Sequence, residues 1–264
     1  MIRREYYHGP KVIDDLNNFD PSCTSISIFG NAKNIERLKD LNIDQLWVIG
    51  ARDKDLQKIL QYIQPKFISI YQVLAQDLDI LETLSNTETI VLRWNTKSER
   101  LWNMGHNNEL RALTIEDFPK INSVEPIEKA LNLEYLVLEG GMWKPLKIET
   151  LKPLSKLKKL QFLRLANLHV KEDGLKPVAE LTNLKELMLS NQFETSDYAY
   201  LSVKLPHTKC DSFQPFIKYD KPIGNNDTVI TGKRKPFLNY ENDRAKIEKY
   251  SKDFYSMVKK FGLE

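Results

Sequence analysis

The sequence predicts an α/β solenoid: a curved stack with a continuous parallel sheet on its concave side and short helical return segments outside. Three observations predict it. A short apolar phrase recurs nine times, its spacing is nearly constant, and several stretches between copies carry helical periodicity. The phrase is an apolar residue, two free positions, a second apolar residue, one free position and a third. Clean copies are Leu110/Leu113/Ile115, Leu133/Leu136/Leu138, Leu160/Leu163/Leu165 and Leu184/Leu187/Leu189. Weaker copies are Ile43/Leu46/Val48, Pro65/Ile68/Ile70 and Thr87/Ile90/Leu92, with Ile26/Ile28 as a shorter first one and Leu205/Thr208/Cys210 as a degenerate last one. Their middle residues, at 26, 46, 68, 90, 113, 136, 163, 187 and 208, are separated by steps of 20, 22, 22, 23, 23, 27, 24 and 21. Self-similarity at a period in the low twenties marks a stack in which each unit contacts only its neighbours.

Each element follows from this phrase. The second and third apolar residues lie two apart, so in an extended segment they point to one face, and that face is buried. So short a strand is not stable alone, but parallel neighbours bury a shared row of Leu and Ile. Between strands, IERLKDLN, DLQKILQYI and LDILETLS place apolar residues three and four apart, as amphipathic helices do. IETLKPLSKLKKL and DGLKPVAELTNL do the same, each with a proline near the helix start, where a missing N–H costs little. Helices outside and strands inside differ in width, which bends the stack with the sheet on the concave side.

Over roughly residues 24–212 this spacing resembles the leucine-rich-repeat family. The resemblance implies a horseshoe of about nine repeats and recognition of other proteins. It also points to a divergent, irregular member. The family often sets Asn where the chain leaves the strand; here that position holds Asn31 and Asn95, but also Ala51, Val73, Phe118, Gly141, Leu168 and Gln192. A solenoid needs its ends covered. Residues 1–23, with Tyr6, Tyr7, Ile13, Leu16 and Phe19, read as an N-terminal cap. Residues 213–264 read as a C-terminal cap. A loop over 211–226 crosses from the last strand into it and leads to a hairpin around Gly232, and an amphipathic helix over 241–261 carries Ile247, Tyr250, Phe254, Met257, Val258 and Phe261 on one stripe.

The formal net charge is +3, and residues 231–264 alone carry nine Lys/Arg against five Asp/Glu. The basic excess therefore belongs to the tail. The N-terminus has no apolar run of signal-peptide length, and no stretch reaches the roughly 20 apolar residues of a membrane span. Cys23 and Cys210 sit at opposite ends of the array, about 38 Å apart at the ordinary strand spacing, beyond disulfide reach. A soluble, cytoplasmic protein is expected.

The residues offer no catalytic signature. His8, His106, His169 and His207 lie in different repeats at no ligand spacing, which predicts no metal. There is no phosphate-binding glycine loop and no Gly-x-Ser-x-Gly, and no cofactor is expected. His207 and Cys210 differ by an odd number of positions and so point to opposite faces of an extended segment. Glu116 and Glu139 become lateral neighbours able to share a proton, although two separately solvated acids are far commoner.

Function then falls to the concave face. Alternation places Ser27, Trp47, Ser69, Val91, Thr114, Val137, Arg164, Met188 and Lys209 in its middle column. Phe29, Ile49, Tyr71, Arg93, Glu116 and Glu139 fall in the next. Two features stand out as a candidate partner-binding site. One is an aromatic patch of Phe29, Trp47, Ile49, Phe67 and Tyr71, with Arg93 and Trp94 at its edge, unless the N-terminal segment folds over it or the register slips there. The other is a charged strip, Arg93, Glu116, Glu139 and Arg164, whose plain alternative is a solvated face. The leading expectation is a non-enzymatic protein–protein interaction module whose concave face binds a protein partner. The alternatives are a nucleic-acid or anionic-surface binder acting through the basic tail, and a recognition subunit of a larger enzyme assembly. Interspersed acids and a concave face that is not basic count against nucleic acid.

Overall fold

The structure, a computed structural model, describes residues 8–263. Residues 1–7 and 264 lie outside the described residues, and with them Tyr6 and Tyr7 of the expected N-terminal cap. Nine parallel strands form one sheet in the order of the chain: β1 (Val12–Asp15), β2 (Ser25–Lys33), β3 (Gln45–Ala51), β4 (Phe67–Val73), β5 (Thr89–Arg93), β6 (Ala112–Glu116), β7 (Tyr135–Glu139), β9 (Phe162–Ala166) and β11 (Glu186–Leu189). Two three-residue strands, β8 (Leu146–Ile148) and β10 (Leu168–Val170), pair beside it as a separate parallel ladder. The predicted inward pairs, from Ile26/Ile28 to Leu163/Leu165, are all buried.

The sheet has nine strands, but they are not the nine copies of the phrase. The extra one, β1, lies in the segment expected to be a cap and pairs with β2 through Val12↔Ser27 and Ile13↔Ile28. The last copy forms no strand and meets the sheet through a single bridge, Glu186↔Lys209. Alternation had set Lys209 beside Met188. The observed partner is two residues earlier, which keeps Lys209 on the same face. Leu205 and Thr208 of this copy are buried, and the Thr208 hydroxyl donates to the Leu184 carbonyl at 2.7 Å.

Outside the sheet, the expected helices are mostly 3-10 turns, Ile35–Asp40, Asp79–Thr83, Lys152–Lys156 and Lys176–Glu180, and a further 3-10 turn, Glu125–Lys129, joins them without having been expected. One is α-helical, α1 (Asp53–Leu60), and it buries Leu56, Ile59 and Leu60. A repeat of this length leaves about five residues for the outer leg. A 3-10 turn rises about 2.0 Å per residue against 1.5 Å for an α-helix, so it spans more with fewer residues. Pro126, Pro153 and Pro177 each occupy the first turn of their segment.

Beyond the array, α2 (Thr195–Lys204), which the sequence pattern did not suggest, buries Tyr198, Ala199 and Leu201. The expected loop over 211–226 contains a strand, β12 (Phe216–Ile223), which pairs antiparallel with β13 (Asn226–Ile230) across a turn at Gly224, where φ is +62°. A two-residue β14 (Phe237–Leu238) completes this sheet by pairing with β13 across the Gly232 region. Helix α3 (Arg244–Phe261) follows. It buries Ile247 and Phe254 and lays Met257, Val258 and Phe261 against the main core, with Phe261 edge-on to Tyr200 of α2 at 5.5 Å. Cys23 is exposed and Cys210 partly buried, and both are free thiols. No helix among the described residues is long and apolar enough to cross a membrane.

Candidate partner-binding surface

The pairing of β2 to β9 aligns the concave columns in the register that alternation predicts. Phe29, Ile49, Tyr71, Arg93, Glu116, Glu139 and Ala166 stand side by side, as do Ser27, Trp47, Ser69, Val91, Thr114, Val137 and Arg164. In a third column Tyr135 and Phe162 stack face to face at 4.3 Å.

The predicted aromatic patch is divided. Phe29 and Tyr71 are 42% and 40% exposed, and Ile49 is half-buried. Phe67 is buried at 7% and packs on Trp47 with ring centroids 4.8 Å apart. Trp47 itself lies under the chain at Gly9, where an added Cβ would fall 2.7 Å from its ring and 2.3 Å from Ser27 Oγ. The expectation that Trp47 and Phe67 stand open to a partner is therefore corrected: Phe67 is buried beside Trp47, and Trp47 is half-buried with the chain at Gly9 against it.

A second region remains open where the strands end. Leaving the sheet, Gly50, Gln72, Trp94, Asp117 and Asn167 all adopt left-handed backbone, with φ of 70°, 57°, 60°, 58° and 47°. One left-handed residue resets the strand alternation, so the next residue turns into the core. Ala51, Val73, Asn95, Phe118 and Leu168 are accordingly buried. This explains why an apolar residue so often replaces the family's Asn. Asn95, where the polar side chain remains, donates to Ala75 O at 2.8 Å and accepts from the N–H groups of Lys97 and Ser98 at 2.7 and 2.8 Å.

The same backbone turn throws the left-handed residue itself outward. Trp94 is 42% exposed, its ring 5.8 Å from that of Tyr71, and the Arg93 guanidinium lies 5.0 Å from the Tyr71 centroid. These three, with Glu116, Asp117, Glu139, Gly140, Gly141 and Met142, line an open cleft of about 610 Å³. Met142 and Trp143 beside it are 85% and 89% exposed.

Pattern reading missed Asp117, Met142 and Trp143 because it assigned directions only within strands. One signal could have found the last two. The step from 136 to 163 is the longest in the series, and its extra residues fall in the stretch GGMWKP.

Within the charged strip, Arg164 donates through Nε and Nη2 to the two oxygens of Glu139 at 2.9 and 3.1 Å. A carboxylate so held is a poor proton-sharing partner for its neighbour. Burial is the main force raising the Glu116 carboxyl above its ordinary value; Arg93 opposes it, and Glu139 and Asp117 reinforce it. Burial likewise raises Asp117, against the pull of Lys144. Folded Glu116 thus holds its proton more tightly than the unfolded chain does. Its contribution to stability therefore falls as pH rises from the ordinary carboxylate range through the raised folded value. Glu116→Gln is expected to melt above the parent at pH 7 and to converge with it near pH 4 in thermal scans. A constant difference at both values would contradict this.

Nucleophilic chemistry finds no footing at the last copy. Burial pushes the Cys210 thiol up to about 12, and His207 is exposed. Among the described residues no group of three or more His, Cys, Asp or Glu side chains is placed to hold a metal.

No protein-family model matches the sequence, and no curated protein matches it. Solved structures similar to it include internalin C2 of Listeria monocytogenes, at 20% identity over 68% of this chain and 75% of that one, with a TM-score of 0.48. A leucine-rich-repeat protein of Leptospira interrogans is 17% identical over 76% of this chain and 58% of its own, also at 0.48. The functional domain of InlJ from Listeria monocytogenes, described as including a cysteine ladder, is 16% identical over 78% and 47%, at 0.45. By its own repeat, its nine-stranded parallel sheet and its covered C-terminal end, this chain has the fold of a leucine-rich-repeat solenoid.

Proposed function

We propose that this protein is a non-enzymatic recognition module that binds a protein partner along the strand-end rim of its concave sheet, in a reducing, cytoplasmic setting. The observation that carries the reading is the exposed Tyr71–Trp94 pair, which flanks a strip of half-buried charge and stands beside Met142 and Trp143. Aromatic and Arg side chains on a rigid frame supply contact area at little cost in ordering entropy. The solvent-facing position of these rings makes a purely structural role a poor account of them. Two cysteines that stay thiols accord with a reducing compartment. In a larger assembly the same surface serves as the recognition element and a partner supplies the chemistry.

The test is a paired substitution, Tyr71→Ala with Trp94→Ala. Capture of the partner from native extract is expected to fall at least about thirtyfold, the loss typical of interface hot spots. The melting temperature should stay within about 2 °C of the parent, as for surface substitutions. Lys58→Ala on the outer helix α1 serves as control and should leave capture intact. Undiminished capture by the double variant would refute the reading. A binding signal confined to nucleic acid, steep in salt and carried by residues 231–264, would favour the basic tail instead.

A further inference from the structure

We propose that the cleft at the ends of β4 to β7 receives a cationic side chain of the partner, a lysine, methylated lysine or arginine, with its charged head at Glu116 and Asp117 and its stem across Trp94. The proposal rests on the protein-binding reading above and adds the chemistry of what is bound.

Three features converge on it. The first is charge. Glu139 is engaged by Arg164 through both oxygens, whereas the side chains of Glu116 and Asp117 form no hydrogen bond or ion pair with any described residue. Both are half-buried, and burial disfavours their charged forms. A carboxylate partly withdrawn from water with no direct donor is stabilised by an arriving cation more than a solvated one would be. The nearby cations act on these acids only at a distance: Arg93, over Tyr71, and Arg164, on Glu139, draw on Glu116 without a direct contact, and Lys144 acts on Asp117 without an ion pair.

The second feature is the aromatic wall. With the Arg93 guanidinium over Tyr71, Trp94 is the exposed ring left facing the cleft, and Trp is the best of the aromatic faces for a cation. Trp94 and Asp117 are held in place by the backbone, since Trp94 N–H donates to Glu116 O at 2.9 Å and Asn95 N–H to Asp117 O at 3.0 Å. The third is access. The cleft, about 610 Å³, opens beside the exposed Met142, so an apolar stem has a surface to lie on.

The probes are three short peptides, Ac-Gly-Gly-X-Gly-Gly-amide with X as arginine, trimethyllysine or glutamine, titrated into the 264-residue protein. The readout is the indole N–H signal of Trp94 among the four tryptophans, assigned with Trp94→Phe. The arginine and trimethyllysine peptides are expected to shift this signal saturably, and the glutamine peptide to leave it in place. Glu116→Gln with Asp117→Asn should weaken that binding at least about tenfold, as expected on losing charge-assisted contacts. Both changes keep side-chain shape, and Asn suits the left-handed backbone at 117, so a melting temperature at or above the parent's is expected at pH 7 as the folding control. Equal shifts from cationic and glutamine peptides, undiminished binding by the double variant, or no shift at all would each overturn the inference. If Tyr71→Ala with Trp94→Ala abolishes partner capture while the carboxylate variant retains it, only the cation assignment fails. If both variants capture normally, the protein-binding reading fails with it.

Discussion

Asn107→Ala is expected to cost about 3 kcal/mol of stability, more than any surface change on this chain. Asn107 is buried and joins two repeats by its side chain alone. Its Oδ1 accepts from Trp102 Nε1 at 2.8 Å, and its Nδ2 donates to the carbonyls of Leu81 and Leu84 at 2.8 and 3.0 Å. Trp102 is among the largest fully buried side chains. Removing the amide strands an indole N–H and the Leu84 carbonyl, while Leu81 O keeps only the Leu84 N–H at 3.2 Å, and each unsatisfied buried group costs about 1–3 kcal/mol. Water entering the new space would recover part of that, which sets the expectation near the lower end of the sum. Urea unfolding with an unchanged m-value measures it. A loss below about 1 kcal/mol would mean that the amide is dispensable to the stack. Thr87, whose hydroxyl donates to Pro65 O at 2.6 Å, is a smaller version of the same tie.

Gly140→Ala should be the more damaging of two adjacent substitutions, and Gly141→Ala the more informative. A Cβ at 140 would lie 2.3 Å from Asn167 O, in the next repeat, and 2.5 Å from Leu146 N and 2.9 Å from Pro145 Cα, in the leg that carries β8, all of them backbone atoms. Relief requires moving the chain, and overpacking of this kind costs about 1–3 kcal/mol. A Cβ at 141 would fall 2.0 Å from Asp117 Oδ1, and a side chain can move where a backbone cannot. Gly141→Ala is therefore expected to lower the melting temperature less than Gly140→Ala, yet to push the Asp117 carboxylate out of its position and weaken the cationic-peptide response. The reverse order of melting temperatures would show that the leg is more pliant than its contacts suggest.

The legible parts of this fold are those in which one short pattern decides the outcome. Ile68 and Ile70, two apart, fix which face of β4 is buried, and a register slip by one would have exposed both. This is why the columns from Phe29 to Ala166 were readable even in the irregular early repeats. The illegible parts depend on contacts remote in sequence or on differences too fine for periodicity. Whether Trp47 is open depends on Gly9, which lies 38 positions upstream and carries no side chain to announce itself. A five-residue outer leg such as Lys152–Lys156 cannot separate a period of 3.0 from one of 3.6. The strand β12 contains KYDKP, with neither alternation nor a pairing partner visible in the sequence. In the candidate site, Arg93, Glu116 and Glu139 were within reach because they follow the strand pattern, and Trp94 because it adjoins Arg93 at the edge of the aromatic patch. Asp117 was not, because it occupies a left-handed turn itself, and Met142 was not, because it lies in the stretch that follows β7.

That turn has a consequence for how such a molecule can be rewritten. At Gln72, Trp94, Asp117 and Asn167 a non-glycine residue holds backbone that costs about 1 kcal/mol relative to glycine. In return, each of these repeats presents one side chain that takes no part in the hydrophobic interior. The four positions behave as keys on a common ring, cut independently and carried by the same hoop. Exchanging their side chains, glycine and asparagine most readily, would give a family of surfaces with one shared scaffold and separately chosen specificities.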